Sequence, residues 1–108
     1  MWLSDDLFRT VVASTPLISM DLVVQNFQGE ILLGQRYNRP AQGVWFVPGG
    51  RILKNETMDV AFSRLTRDEL GKVFQRSEAR LLGAYEHFYT NSVFGDSGNS
   101  PDTHYVVL

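Results

Sequence analysis

The stretch GRILKNETMDVAFSRLTRDELG, Gly50 to Gly71, decides how this chain is to be read. Thr57 is placed to cap a helix over Met58–Leu70, and Gly71 is placed to stop it. On a helical wheel that starts at Met58 and advances about 100° per residue, Ala61, Phe62 and Leu65 fall within about 60° of the origin. They form the stripe that such a helix buries. Glu69 falls at about 20°, in the middle of the same stripe, with Asp68 on its flank and Arg64 further round. Ser63 and Arg67 face away. A carboxylate on a core-facing stripe is costly unless water or a cation meets it. Two readings follow. Either the helix end splays and Glu69 reaches solvent, or Glu69 enters a polar pocket and meets a cation, with Asp68 and Glu56 nearby. Oxygen ligands of this kind suit magnesium or manganese.

Outward from that helix, the apolar run Val44–Val47 reads as a short strand stopped by Pro48-Gly49-Gly50. Arg51 and Glu56 then hang on a turn before the helix. On the amino-terminal side, Ile18, Met20, Leu22 and Val24 are apolar at alternate positions, while Ser19 and Asp21 lie between them. That period predicts a strand over Ile18–Val24 with its even face in the core. A turn at Asn26–Gly29 and a strand over Glu30–Gln35 complete a hairpin. Ser4 predicts a capped helix over Asp5–Ala13, ended by Pro16. Arg36–Gly43 reads as a loop. Arg80–Tyr89 reads as a strand, Asn91–Asp102 as a Gly- and Ser-bearing loop, and His104–Leu108 as a further strand.

The 108 residues fit one small domain with one modest core, and 44% hydrophobic with 20% charged residues is a globular composition. A net charge of −2 supplies no basic field for nucleic acid or lipid. All basic residues but Lys54 and Lys72 are arginine, a bias that suits bidentate contacts to an anionic ligand. The absence of cysteine excludes disulfides and thiolate zinc sites. No secretion signal precedes Asp5 and Asp6, and no apolar run is long enough to span a bilayer, so a cytoplasmic protein is expected.

The spacing in the opening stretch resembles the signature of the Nudix hydrolases. Gly50 is followed by five residues and Glu56, then by seven and Arg64, with Asp68 and Glu69 at the paired acidic positions and Gly71 at the last glycine. The departures are Leu65 in place of a glutamate, Thr66 and Lys72 in place of apolar residues, and Asp68 in place of a longer acid. The missing glutamate belongs, in the ordinary motif, to the metal cluster used for pyrophosphate cleavage. STPLISMD, ILLGQRYNRPAQGVWFVPGGR, ETMDVAFSRLTRDELG, EHFY and THYVVL together resemble the GDP-mannose mannosyl hydrolase branch, which lacks the same glutamate and keeps an arginine after the double glycine, as Arg51 does.

That resemblance implies a single Nudix domain over 1–108, an α/β/α sandwich on a mixed sheet, here without the second packing helix. It implies water attack at the anomeric carbon of a GDP-sugar with inversion, giving GDP and free hexose. It implies that Glu69 and the carbonyl of Gly49 hold Mg2+ (or Mn2+), that Arg36 and Arg51 contact the diphosphate, that Asp21 contacts the sugar, and that Tyr105 lies near the leaving phosphate. Arg64 is expected to orient the motif through Asp68 or Glu56. His87 is either a substrate contact or a strand histidine with a local hydrogen bond, and Arg36 and Arg51 are alternatively solvated surface residues. The family's general base is a histidine on a loop beyond the strand where this chain ends. The expected partner is a small nucleotide sugar, with no nucleic acid and no membrane, and a homodimer is expected to cover the exposed sheet face. Competing readings are an ordinary Nudix nucleotide-diphosphate pyrophosphatase and a truncated, non-catalytic nucleotide-sugar binding module.

Overall fold

The computed structural model describes residues 2–37, 42–95 and 98–108. The loop over Arg36–Gly43 and the loop over Asn91–Asp102 each fall partly outside the described residues. Helix α1 spans Asp5–Ser14, and Ser4 Oγ accepts the Leu7 N–H at its start. Strands β1 (Leu17–Asp21), β4 (Gly49–Arg51), β5 (Tyr85–Tyr89) and β6 (Thr103–Val107) form a sheet in the order β4-β1-β6-β5. β1 runs parallel to β6 and antiparallel to β4, and β5 is antiparallel to β6, so the sheet is mixed. Strands β2 (Gly34–Gln35) and β3 (Trp45–Phe46) pair as a separate short ribbon. Helix α2 spans Met58–Leu70. Among the described residues, no helix is long and apolar enough to cross a membrane.

Helix α2 has the predicted limits because both ends are specified locally. Thr57 Oγ1 accepts the Val60 N–H at 3.1 Å, and Gly71 takes φ +76°, a left-handed value that a side chain disfavours. Ala61 and Leu65 are buried and meet Met20 and Leu22 of the β1 segment in the main core, with Val24, Ile52, Phe62, Leu70 and Leu108 packed around them. Each fully buried leucine or methionine contributes roughly 1.5–3 kcal/mol. Met58, expected on the buried stripe, is 46% exposed. Thr66, off the stripe, is 2% exposed instead. Its hydroxyl accepts the Phe74 N–H at 3.0 Å and lies 2.9 Å from the Phe62 carbonyl, so it ties the chain that leaves α2 back onto the helix.

The main correction concerns Gly49-Gly50: β3 does stop before Pro48, but the two glycines are no turn and open a new strand. Gly49–Arg51 forms β4, with Gly49 opposite Asp21, Gly50 opposite Met20 and Arg51 opposite Ser19. The glycines are required by close approach. A Cβ at Gly49 would lie 2.1 Å from the Met20 carbonyl oxygen, and one at Gly50 would lie 2.7 Å from Leu65 Cδ2. The predicted strand over Ile18–Val24 is Leu17–Asp21; Met20 is buried on its even face and Leu17 and Ser19 on its odd face, while Ile18, expected in the core, is 41% exposed. A strand between two neighbours, with a helix on one side and packing on the other, need not alternate in polarity.

Asn26 closes its turn by accepting the Gln28 and Glu30 N–H groups on Oδ1, but the returning strand is reduced to Gly34–Gln35 and one bridge between Gln25 and Ile31. β5 starts at Tyr85 and not at Arg80, because Gly83 (φ +155°) interrupts the approach and a 3-10 turn occupies Arg76–Glu78.

Candidate active site

Strand register gathers one set of side chains on one face. Residues directly opposite in a sheet share a face, and the sides alternate along each strand. Asp21 pairs with Gly49, Ser19 with Arg51, Leu17 with Tyr105, and Tyr105 with His87. Asp21, Arg51, Tyr105, His87 and Tyr89 therefore stand on the face away from α2, whose Leu65 meets Gly50 on the other. Ring contacts follow the same parity. His87 and Tyr89 lie 6.3 Å apart and nearly parallel, and Tyr89 meets Tyr105 edge-on at 6.3 Å. The second histidine, His104, points to the opposite face. There it stacks on Phe88 at 4.2 Å, and its Nε2 sits 3.4 Å from Glu86 Oε2 without hydrogen-bond alignment.

The electrostatics of this face are cationic on one side. Burial pushes the Tyr105 phenol up, with Arg36 and Arg51 pulling against it. The phenol therefore keeps its proton and remains a donor. Burial lowers the Arg51 guanidinium, with Tyr105 opposing the shift, but it stays charged. Asp21 keeps much of its surface exposed, yet the surrounding chain desolvates its carboxyl enough to push it up, against the pull of His87. Arg36, at the end of β2, lies with its guanidinium 5.3 Å from the Phe46 ring centre.

Behind β4, Arg64 locks the loop. Its Nε donates to Glu56 Oε2 at 2.6 Å, and Nη2 donates to Glu56 Oε1 at 3.0 Å and to the Arg51 carbonyl at 2.7 Å. Glu56 Oε1 also accepts the Leu53 N–H at 2.9 Å. Asn55 takes φ +67° within this loop. Asp68 is engaged by Arg67 at 3.1 Å and by Arg64 at 4.0 Å.

A cavity of about 160 Å³ brings Asp68 and Glu69 beside Trp2, Gly50, Arg51 and Leu65. Glu69 is exposed, so the end of α2 puts it against this cavity and not inside the core. A larger hollow of about 420 Å³ lies on the outer side of α2 among Asp59, Val60, Arg67 and Val73. It contains none of Asp21, Arg36, Glu69 or Tyr105, and the charges it shares, Glu56 and Arg64, are spent on each other.

Whether these residues fit a divalent cation is decided by their donors. The ladder bonds from Leu22 N–H to the Pro48 carbonyl and from Ile52 N–H to the Ile18 carbonyl alternate along β4. They leave the carbonyls of Gly49 and Arg51 facing the open edge. Arg51's accepts from Arg64, and Gly49's is turned outward. One carbonyl and the Glu69 carboxylate are hard oxygen donors of the type Mg2+ takes, with its remaining positions filled by water and substrate oxygens. No group of three or more His, Cys, Asp or Glu side chains converges among the described residues; Glu69 shares its cavity with Asp68 and with Gly50 and Arg51, the residues that follow Gly49 along β4.

Trp2, Phe8 and Tyr89 were not singled out in the sequence. The Phe8 ring lies 4.2 Å from the Arg51 guanidinium, and the Trp2 ring lies 6.0 Å from it. An aromatic on a capped amphipathic helix reads as core, and nothing local to α1 signals a partner in β4.

Fold and register together define an α/β domain on a mixed sheet that gathers Asp21, Arg51, Tyr105 and His87 on one face. Residues 15–108 match the model for the NUDIX domain, and the chain belongs to that family. It is 50% identical over 88 residues to the low-salt glycan biosynthesis protein Agl8 of Haloferax volcanii, a match that covers 82% of this chain and 54% of that protein. It is 37% identical over 54 residues to the RNA pyrophosphohydrolase of Coxiella burnetii, covering 50% of this chain and 23% of that one. A MutT/nudix family protein from Enterococcus faecalis shares the fold with a TM-score of 0.57 at 22% identity, over 97% of this chain and 43% of that structure. The chain thus spans about half the length of the first relative and under a quarter of the second.

Proposed function

We propose that this chain carries the site of a GDP-hexose hydrolase that cuts the carbon–oxygen bond at the anomeric carbon and releases GDP and free hexose with inversion. One observation carries the reading. Leu65 stands where the ordinary Nudix signature has a glutamate, and it is 3% exposed, packed in the core beneath Gly50. No carboxylate projects from that position of α2, so the acidic set expected for attack at phosphorus is incomplete. What the site has in quantity is the means to stabilise a leaving diphosphate.

Arg36 and Arg51 are assigned to the diphosphate oxygens, and the protonated Tyr105 phenol to the leaving oxygen. Asp21 and His87, on the same face, are assigned to the hexose hydroxyls. Glu69 and the Gly49 carbonyl would hold Mg2+ or Mn2+, which when bound neutralises charge on the leaving group. The half-identical relative named for glycan biosynthesis supports a sugar-linked substrate.

Hydrolysis of GDP-mannose in heavy-oxygen water tests the reading. The expected products are GDP and mannose carrying the label. GMP with mannose 1-phosphate, and label in phosphate, would establish pyrophosphatase chemistry instead. Tight GDP-mannose binding with turnover at the uncatalysed background would establish a binding module.

The same reading takes the active form as a homodimer. Ile18 of β1 and Phe88 of the edge strand β5, which share the even-numbered face of the sheet, are 41% and 69% exposed, an apolar surface that a second copy would cover. Sedimentation equilibrium should return twice the 12.3 kDa chain mass. A monomer at micromolar concentration removes this part of the reading.

A further inference from the structure

We propose that Phe8, on the amino-terminal helix, is a positioning residue for Arg51: the ring carries the guanidinium on its face and holds it toward the diphosphate. The inference rests on the reading of Arg51 as the diphosphate contact. It concerns a helix, Asp5–Ser14, that precedes the residues matching the NUDIX domain.

Three observations support it. The Arg51 guanidinium carbon lies 4.2 Å from the Phe8 ring centre, a stacking distance, with Trp2 further off at 6.0 Å. The backbone of Arg51 is already fixed, since its carbonyl accepts from Arg64 and its strand pairs with β1. The side chain is thus the remaining freedom, and Phe8 limits it.

Phe8 is itself held from two sides. Its N–H donates to the Ser4 carbonyl at 2.9 Å, and its ring packs against Phe94 at 5.8 Å. The next residue, Arg9, lies over the same Phe94 ring and donates to the Asn99 carbonyl. Helix α1 therefore ties β4 to the loop that leads into β6 and Tyr105.

The chemistry suits the geometry. A ring on one π-face of a guanidinium leaves the in-plane N–H fork free for two phosphate oxygens. It also removes rotamers that a bound diphosphate would otherwise have to freeze. A lysine or an aliphatic partner would gain neither effect.

The test is a double-mutant cycle between Phe8 and Arg51, read by calorimetric titration with inorganic pyrophosphate in Mg2+. Phe8→Met keeps the volume and removes the π-face. It should weaken pyrophosphate roughly five- to thirtyfold. In an Arg51→Ala background the same change should cost less than about twofold, and Phe8→Tyr should restore binding to within about threefold of the parent. Additive losses, or a tyrosine variant as weak as the methionine one, would overturn the proposal. So would a parent protein that does not bind pyrophosphate.

A second readout needs no ligand. The Arg51 Nε–H resonance of the parent should sit upfield through the ring current and move to an ordinary position in Phe8→Met. An unshifted parent resonance overturns the proposal even if Phe8→Met fails to fold. A parent that does not turn over GDP-mannose, with the cycle and the shift both intact, refutes the substrate reading alone and leaves the positioning role standing.

Discussion

Glu69→Gln is expected to lower kcat for GDP-mannose by about 10²–10³-fold and to raise the Mg2+ concentration needed for half-maximal rate, with the unfolding midpoint unchanged. The size follows from the assignment. Glu69 is the carboxylate of the α2 end that lines the same cavity as Gly50 and Arg51, while the other acid there, Asp68, is held by Arg67 and Arg64. Losing one charged oxygen where charge develops on a leaving diphosphate removes stabilisation at the transition state. Losing it from an exposed helix end removes almost nothing from folding, since surface substitutions usually stay within about 0.5 kcal/mol. Glutamine keeps the shape and the helix propensity, so the two effects separate cleanly. Steady-state rates across a Mg2+ titration, with thermal unfolding of the same samples, provide the check. A variant with the parent's kcat and the parent's Mg2+ dependence would remove Glu69 from the site.

The helix that carries Glu69 was legible to the residue. Its limits are set by neighbours along the chain, Thr57 at one end and Gly71 at the other, and such signals need no tertiary knowledge. β4 was not legible, because the same two glycines that punctuate a turn also permit a backbone to approach another backbone. Only the positions of Met20 and Leu65 decide between the two. Thr66 reads as a polar intrusion until the chain beyond α2 folds back and presents the Phe74 N–H to it.

The face that carries Asp21 and Arg51 shows the limit more sharply. Asp21, Arg51, Tyr105 and His87 come from four strands, and their common side is set by the register of β1 with β6, two strands far apart in the chain. The family resemblance could name them, with His87 as one of two readings, but no local pattern could bring them together. Phe8 lay beyond even the motif, since its partner is a side chain in a strand that the sequence had presented as a turn.

Glu56→Ala should destabilise the fold by about 2–4 kcal/mol at neutral pH while acting on the site only indirectly. The Glu56 side chain is 9% exposed and Arg64 19% exposed, and they meet through a fork with contacts of 2.6 and 3.0 Å. Alanine would leave a largely buried guanidinium without its counter-charge and the Leu53 N–H without its acceptor. The loss is smaller than for a fully buried pair because Arg64 retains contact with water. The effect also has a defined pH dependence. The hydrogen-bonded Arg64 guanidinium, ahead of the smaller Leu53 contribution, holds the Glu56 carboxyl below the usual carboxylate range, against the desolvation that would raise it. The native state therefore takes up this proton less readily than the unfolded chain. The stabilisation is complete above the unfolded-state carboxylate range and is lost as pH falls through the lower native value. Parent and variant should differ most near neutrality and converge in acid. Urea unfolding at a series of pH values measures this directly, and a gap that stays constant from neutral to strongly acid pH would show that the loss is packing and not the ion pair.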